Sequence, residues 1–209
     1  MHIPDGFLTP QVFFPFWVIA VGGLAHALRK TKEVLKDKAI PLMGVSAAFI
    51  FAAQMLNFPV LGGTSGHLLG GVLAAVLLGP YAGAVVISLV LIVQCLIFQD
   101  GGLTALGANI FNMAFLGAMG GYFIYSLMRK KLKLIMSIGI AAWFSVVIAS
   151  LACALQLAVS RASPLKIVLP AMVSIHMLIG IGEAIITCLV VGFVLKVRPD
   201  LIYNGARRS

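Results

Sequence analysis

Along the chain, long apolar runs alternate with short clusters of charge. Runs long enough to cross the roughly 30 Å of bilayer hydrocarbon cover residues 11–28, 39–57, 60–79, 81–98, 104–128, 134–160 and 167–197. Each lasts about 20 residues, the length a transmembrane helix needs, and lacks the ten-residue alternation of barrel strands. The pattern predicts an all-α fold: a polytopic membrane helix bundle of about seven transmembrane helices, forming a single transmembrane domain over residues 1–209. The third run opens on Gly62, Gly63, Thr64, Ser65 and Gly66. These are poor helix formers, so that run is expected to be half loop and half helix.

Composition strengthens this reading. The chain is 61% hydrophobic and 10% charged, against roughly 25% charged residues in soluble domains. One water-facing domain could not bury that apolar surplus, so the lipid bilayer must solvate much of the surface. The glycines and prolines sit mostly inside the apolar runs, where neighbouring helices re-satisfy the freed backbone groups.

The charges then set the orientation, because basic loops stay on the cytoplasmic side. Arg29, Lys30, Lys32, Lys36 and Lys38 follow the first run; Arg129, Lys130, Lys131 and Lys133 follow the fifth; Lys196, Arg198, Arg207 and Arg208 close the chain. Only Arg161 and Lys166 fall elsewhere, between the sixth and seventh runs. Seven helices with the N-terminus outside and the C-terminus cytoplasmic place the three clusters on one face. The net charge of +9 therefore reflects topology, and no nucleic-acid partner is expected. No basic region precedes the first run, so no signal peptide is expected and Met1 is taken as the mature start.

The informative polar residues lie toward the outer face. In Met1-His2-Ile3-Pro4-Asp5-Gly6-Phe7-Leu8, Pro4 and Asp5-Gly6 predict a turn that folds the first residues back. Phe7 and Leu8 are expected to anchor the segment in the bilayer interface. A histidine second from a free amine can chelate one ion through three nitrogens: the Met1 amine, the His2 amide and His2 Nδ1. The amide must lose its proton, which suits Ni²⁺ and Cu²⁺ and not Zn²⁺, Mg²⁺ or Ca²⁺. Binding should therefore expel protons, and affinity should fall as the pH drops below the ordinary amine pKa of about 8.

His67, in Gly66-His67-Leu68-Leu69-Gly70-Gly71, is the candidate for a fourth in-plane nitrogen, although an intramembrane imidazole also serves as a hydrogen-bonding group between helices. Thr64, Ser65, Asp100, Asn109, His176 and Glu183 are candidates for the surrounding polar shell. His176 and Glu183 lie seven apart, on about the same helix face, and could form a proton or metal path or a structural hydrogen-bonding pair. The amide-rich run from Gln94 to Asn112 reads as a scaffold around an outer pocket. Cys95, Cys153 and Cys188 sit in three different runs and read as packing residues. No phosphate-binding loop, dinucleotide fingerprint or His-Glu-x-x-His pair occurs in the sequence.

These segments, with Gln99-Asp100-Gly101-Gly102-Leu103-Thr104-Ala105-Leu106-Gly107-Ala108-Asn109 and Ile179-Gly180-Ile181-Gly182-Glu183-Ala184, resemble the NikM and CbiM substrate-binding components of energy-coupling factor transporters. The resemblance covers nearly the whole chain. It implies a metal site at Met1, His2 and His67 and import of Ni²⁺ or Co²⁺ as transported substrate across the prokaryotic cytoplasmic membrane, with no organic cofactor. It also implies partners: a transmembrane T component, two cytoplasmic ATPase subunits and a small accessory membrane protein. Between the two ions, ligand physics favours nickel. Low-spin Ni²⁺ gains more than Co²⁺ from four planar nitrogens and stands higher in the Irving–Williams order. Two other readings make different predictions. A metalloenzyme would gather His67, His176 and Glu183 around one metal with an open position, and an ion-coupled carrier would lose transport, but not binding, on Glu183→Gln.

Overall fold

The computed structural model describes residues 1–34, 39–61 and 64–203. Its elements are α1 (Pro10–Val34), α2 (Ala39–Gln54), β1 (Phe58–Val60), β2 (Thr64–Gly66), α3 (Gly71–Leu78), α4 (Pro80–Phe98), α5 (Leu106–Ile110), a π-helical stretch (Phe111–Gly120), α6 (Gly121–Met128), α7 (Leu134–Val159), α8 (Leu165–Val197) and a 3₁₀ turn (Pro199–Leu201). The π-helical stretch joins α5 and α6 into one apolar rod, Leu106–Met128. Within that rod Asn112 and the α7 residue Gln156 exchange two amide hydrogen bonds of 2.7 and 2.8 Å, so neither buried amide is left unpaired.

Among the described residues five helices are long and apolar enough to cross a bilayer, and the apolar part of α2, Ile40–Gln54, is shorter. The third run is half loop and half helix, as its opening residues predict. Phe58 pairs with Gly66 and Val60 with Thr64 in an antiparallel hairpin, and only the eight residues Gly71–Leu78 are helical. Eight residues rise about 12 Å, less than half the hydrocarbon thickness. The local sequence explains the break. Gly70 is left-handed at φ 74°, and at the far end Gly79 (φ 91°) precedes Pro80, which starts α4. Non-helical chain at this depth is tolerated because protein covers it. Seven of the eight α3 residues, Gly71 to Leu77, are buried, and α3 packs among α4, α6, α7, α8 and the π-helical stretch. Outward-facing Phe14, Leu89, Leu178, Leu189 and Phe193 are exposed, as a lipid-facing surface requires.

At one end of the bundle the first nine residues fold back through a turn at Asp5 and Gly6 (φ 83°). Met1, His2, Ile3 and Leu8 are all buried. Leu8, expected in the bilayer interface, instead joins the core with Phe7 packed against it. At the other end Tyr203 donates its N–H to the Val76 carbonyl (3.1 Å) and its ring meets Tyr122, while His26 meets Tyr81. The basic residues that close α1, follow α6 and close α8 lie toward that end. Lys36, Lys38, Arg207, Arg208, Gly62 and Gly63 lie outside the described residues.

Candidate metal centre

The N-terminal segment reaches the bundle because its polar groups are met one by one. Asp5 accepts the N–H groups of Leu103 (3.0 Å) and Thr104 (2.7 Å) and the Thr104 hydroxyl. That hydroxyl, joined by the two N–H groups, holds the Asp5 carboxyl below its ordinary range. Asn109 accepts the Ile3 N–H (2.9 Å) and donates to the Ile3 carbonyl (3.2 Å), which also accepts from Gly102 (2.9 Å). The contact at Gly102 leaves no room for a side chain: a Cβ there would lie 2.2 Å from the Asp5 nitrogen.

These anchors set Met1 and His2 against β2. The Met1 amine donates to the Ser65 carbonyl and, at 3.2 Å, to the Ser65 hydroxyl, which also accepts from the His2 N–H at 3.3 Å. Thr64 donates its hydroxyl to the His2 carbonyl (3.1 Å), and the Cys153 thiol points at the Met1 carbonyl (3.9 Å). The His2 and His67 rings then face each other with centroids 4.5 Å apart.

The partners of the two rings decide which nitrogens are free. His2 Nε2 lies 3.0 Å from the Gln94 carbonyl oxygen, and His67 Nδ1 lies 2.7 Å from the Leu68 carbonyl. Carbonyl oxygens only accept, so these nitrogens carry the protons. The lone pairs are left on His2 Nδ1 and His67 Nε2, two buried atoms with no hydrogen-bond partner among the described residues. Those are the nitrogens a planar site with the Met1 amine would use. The Asp100 carboxylate, 3.5 Å from His2 Nδ1 and held by Asn57 (3.1 Å), adds negative charge beside them.

Burial tunes the same groups. It takes the Met1 amine down to about 5 and, with the amine's own charge assisting, takes His2 down to about 3. Both are therefore deprotonated at neutral pH, the state in which nitrogen ligates. This corrects the pH range expected from the sequence, because the amine sheds its proton well below pH 8.

Of the polar shell named from the sequence, Thr64, Ser65, Asp100 and Asn109 all touch the N-terminal segment. His176 and Glu183 do not hydrogen-bond to that segment, although His176 Nε2, like His67 Nε2, is buried and without a hydrogen-bond partner among the described residues. His176 Nδ1 is 2.7 Å from its own helix's Met172 carbonyl, and Glu183 is bonded to main chain at Leu69 and Gly70. Among the described residues no three His, Cys, Asp or Glu side chains form a metal-holding group, so the cluster a metalloenzyme would need at His67, His176 and Glu183 does not form. Sequence reasoning missed Gln54, which donates to the Leu69 carbonyl at 2.7 Å. The available signal was a lone amide inside an otherwise apolar helix. It also placed Gln94 only in a general scaffold, and Cys153 only in packing.

Fold and site together define a multi-pass membrane protein whose N-terminal segment is buried at one end of the bundle, with the Met1 amine and the His2 and His67 rings side by side. The chain belongs to the family described as cobalt uptake substrate-specific transmembrane region, whose model matches residues 2–201. It is similar to a protein of Archaeoglobus fulgidus provisionally named a fused nickel transport protein, with 41% identity across 99% of this chain and 69% of that one. It is also similar to the cobalt transport protein CbiM of Acetoanaerobium sticklandii, with 30% identity across 98% of this chain and 88% of that one. A crystal structure of a transition metal transporter superposes with a TM-score of 0.89 at 36% identity, covering 100% of both chains. The chain is thus a substrate-specific membrane component of transition-metal uptake, a transport protein and not an enzyme.

Proposed function

We propose that the chain captures Ni²⁺ from outside the cell through the Met1 amine, the His2 amide nitrogen, His2 Nδ1 and His67 Nε2, with Co²⁺ as the alternative cargo. The observation that carries this reading is that His2 Nδ1 and His67 Nε2, on rings 4.5 Å apart beside the terminal amine, are buried and have no hydrogen-bond partner among the described residues. Nickel is favoured over cobalt because a square plane of four nitrogens suits low-spin Ni²⁺. The relatives' names divide between the two metals.

Transport is ATP-driven and of the energy-coupling factor type. A transmembrane T component and two cytoplasmic ATPase subunits supply the energy, accompanied by a small accessory membrane protein. The support is the absence of any nucleotide-binding motif from a sequence whose family membership is transport. The test is Ni²⁺ accumulation by cells producing this chain with and without those partners. Energised uptake is expected only with them, and uptake driven by this chain alone would contradict the reading.

A further inference from the structure

His67 stands on a stretch with no regular structure, between β2 and α3, so its position must be fixed by something other than its own backbone hydrogen bonds. Two buried side chains from opposite helices meet that stretch. Both oxygens of Glu183, on α8, accept consecutive main-chain N–H groups, Leu69 and Gly70, at 2.7 Å each. From the end of α2, Gln54 donates to the Leu69 carbonyl at 2.7 Å. Both side chains are 0% exposed. The main chain at Leu69 is therefore gripped at its N–H and its C=O, two residues beyond His67, while the His67 ring closes onto the intervening Leu68 carbonyl. Gly70 completes the grip, because its left-handed φ of 74° leaves a space in which a Cβ would come within 2.8 Å of Ile50.

A carboxylate is the side chain suited to this task. It presents two acceptors and no donor, matching two successive N–H groups, whereas an amide would set its own N–H against one of them. We propose that Glu183, with Gln54, is a positioning residue for metal capture: it touches no ion, and it fixes the backbone so that His67 Nε2 faces the N-terminal chelate. This inference rests on the reading of Met1, His2 and His67 as the ligands. It gives Glu183 a part in binding, where the ion-coupled carrier would use it in transport alone.

The test is Ni²⁺ affinity and the visible absorption of bound nickel for the purified full chain, Glu183→Gln, His67→Ala and the double variant. Loss of a group that orients a ligand weakens metal binding about 10–100-fold. Glu183→Gln is expected to show that loss, and its nickel band should move to the longer wavelength of the His67→Ala complex. In the His67→Ala background the same substitution should add nothing, since the group it positions is gone. A merely structural role would weaken both backgrounds equally, and that result would overturn the proposal, as would unchanged affinity and band in Glu183→Gln. Should Glu183→Gln not fold, Gln54→Leu carries the test with the same outcomes. A chain extended by one residue before Met1 separates the two levels. Equal binding by native and extended chains would overturn the ligand reading and this proposal with it. Lost binding on extension together with an unaffected Glu183→Gln would overturn the positioning role alone.

Discussion

In the proposed four-nitrogen site His2 would supply two of the ligands, and its neighbours decide which ring nitrogen is available. Gln94 takes the proton-bearing side, so Nδ1 is left facing the amine and His67. The burial that hides these atoms also keeps the amine neutral down to about pH 5. Between pH 8 and 5 the metal-free site then carries one proton that nickel must expel, that of the His2 amide. Affinity is expected to fall about one decade per pH unit across that range. An amine left at its ordinary value would make it about two decades per unit below pH 8, and a flat profile would exclude the amide as a ligand. Titration calorimetry across the range distinguishes the three. At this scale the sequence was most legible, because a histidine at position 2 carries its chelate geometry in covalent structure alone. The choice of tautomer was not legible, since it depends on Gln94 and Leu68, residues distant from His2 and adjacent to His67 respectively.

The turn between α4 and α5 and the broken third run do the placing. Asp100 to Thr104 provide three main-chain N–H groups and a hydroxyl to the N-terminal segment, so the first residues dock as though they were one more strand of a loop. Gly102 is the tightest point of that docking. Gly102→Ala places a Cβ 2.2 Å from the Asp5 nitrogen and 2.6 Å from the Pro4 carbonyl carbon, and the segment must lift to admit it. We expect nickel affinity to drop at least about tenfold, the equivalent of about 1.4 kcal/mol, while the thermal midpoint of the helix bundle changes little. Unchanged affinity would show that the segment docks some other way. The turn at Pro4 to Gly6 was readable from residue types, and so was the weakness of the third run at Thr64 to Gly66. The hairpin itself was not, because Phe58 lies before that run and pairing is a relation between two short stretches, not a property of either. Nor was the grip of Glu183 on Leu69 and Gly70, which joins residues 114 and 113 positions apart.

Across the whole molecule, the helices hold Met1, His2 and His67 toward one end, where Arg161 and Lys166 also lie at the α7–α8 turn, and gather the other described basic residues toward the opposite end, the asymmetry that the positive-inside pattern describes. The apolar runs fixed which stretches enter the membrane, with boundaries close to those observed for α4, α7 and α8. In the third run the apolar pattern alone does not tell an eight-residue buried helix from a full span, and the poor helix formers Thr64 to Gly66 mark the difference. The apolar runs left α1 short, since its last turn continues into Arg29, Lys30 and Lys32. In the proposed function this bundle presents a chain terminus to an ion. The measurement that tests it most directly is nickel binding and nickel magnetism for the native chain beside the chain carrying one additional residue before Met1. That addition keeps every side chain and removes only the terminal amine from its chelating position. A chelate built on the terminal amine gives a diamagnetic four-nitrogen nickel centre in the native chain and loss of tight binding in the extended one. Equal binding by both, or a paramagnetic six-coordinate centre in the native chain, would contradict it.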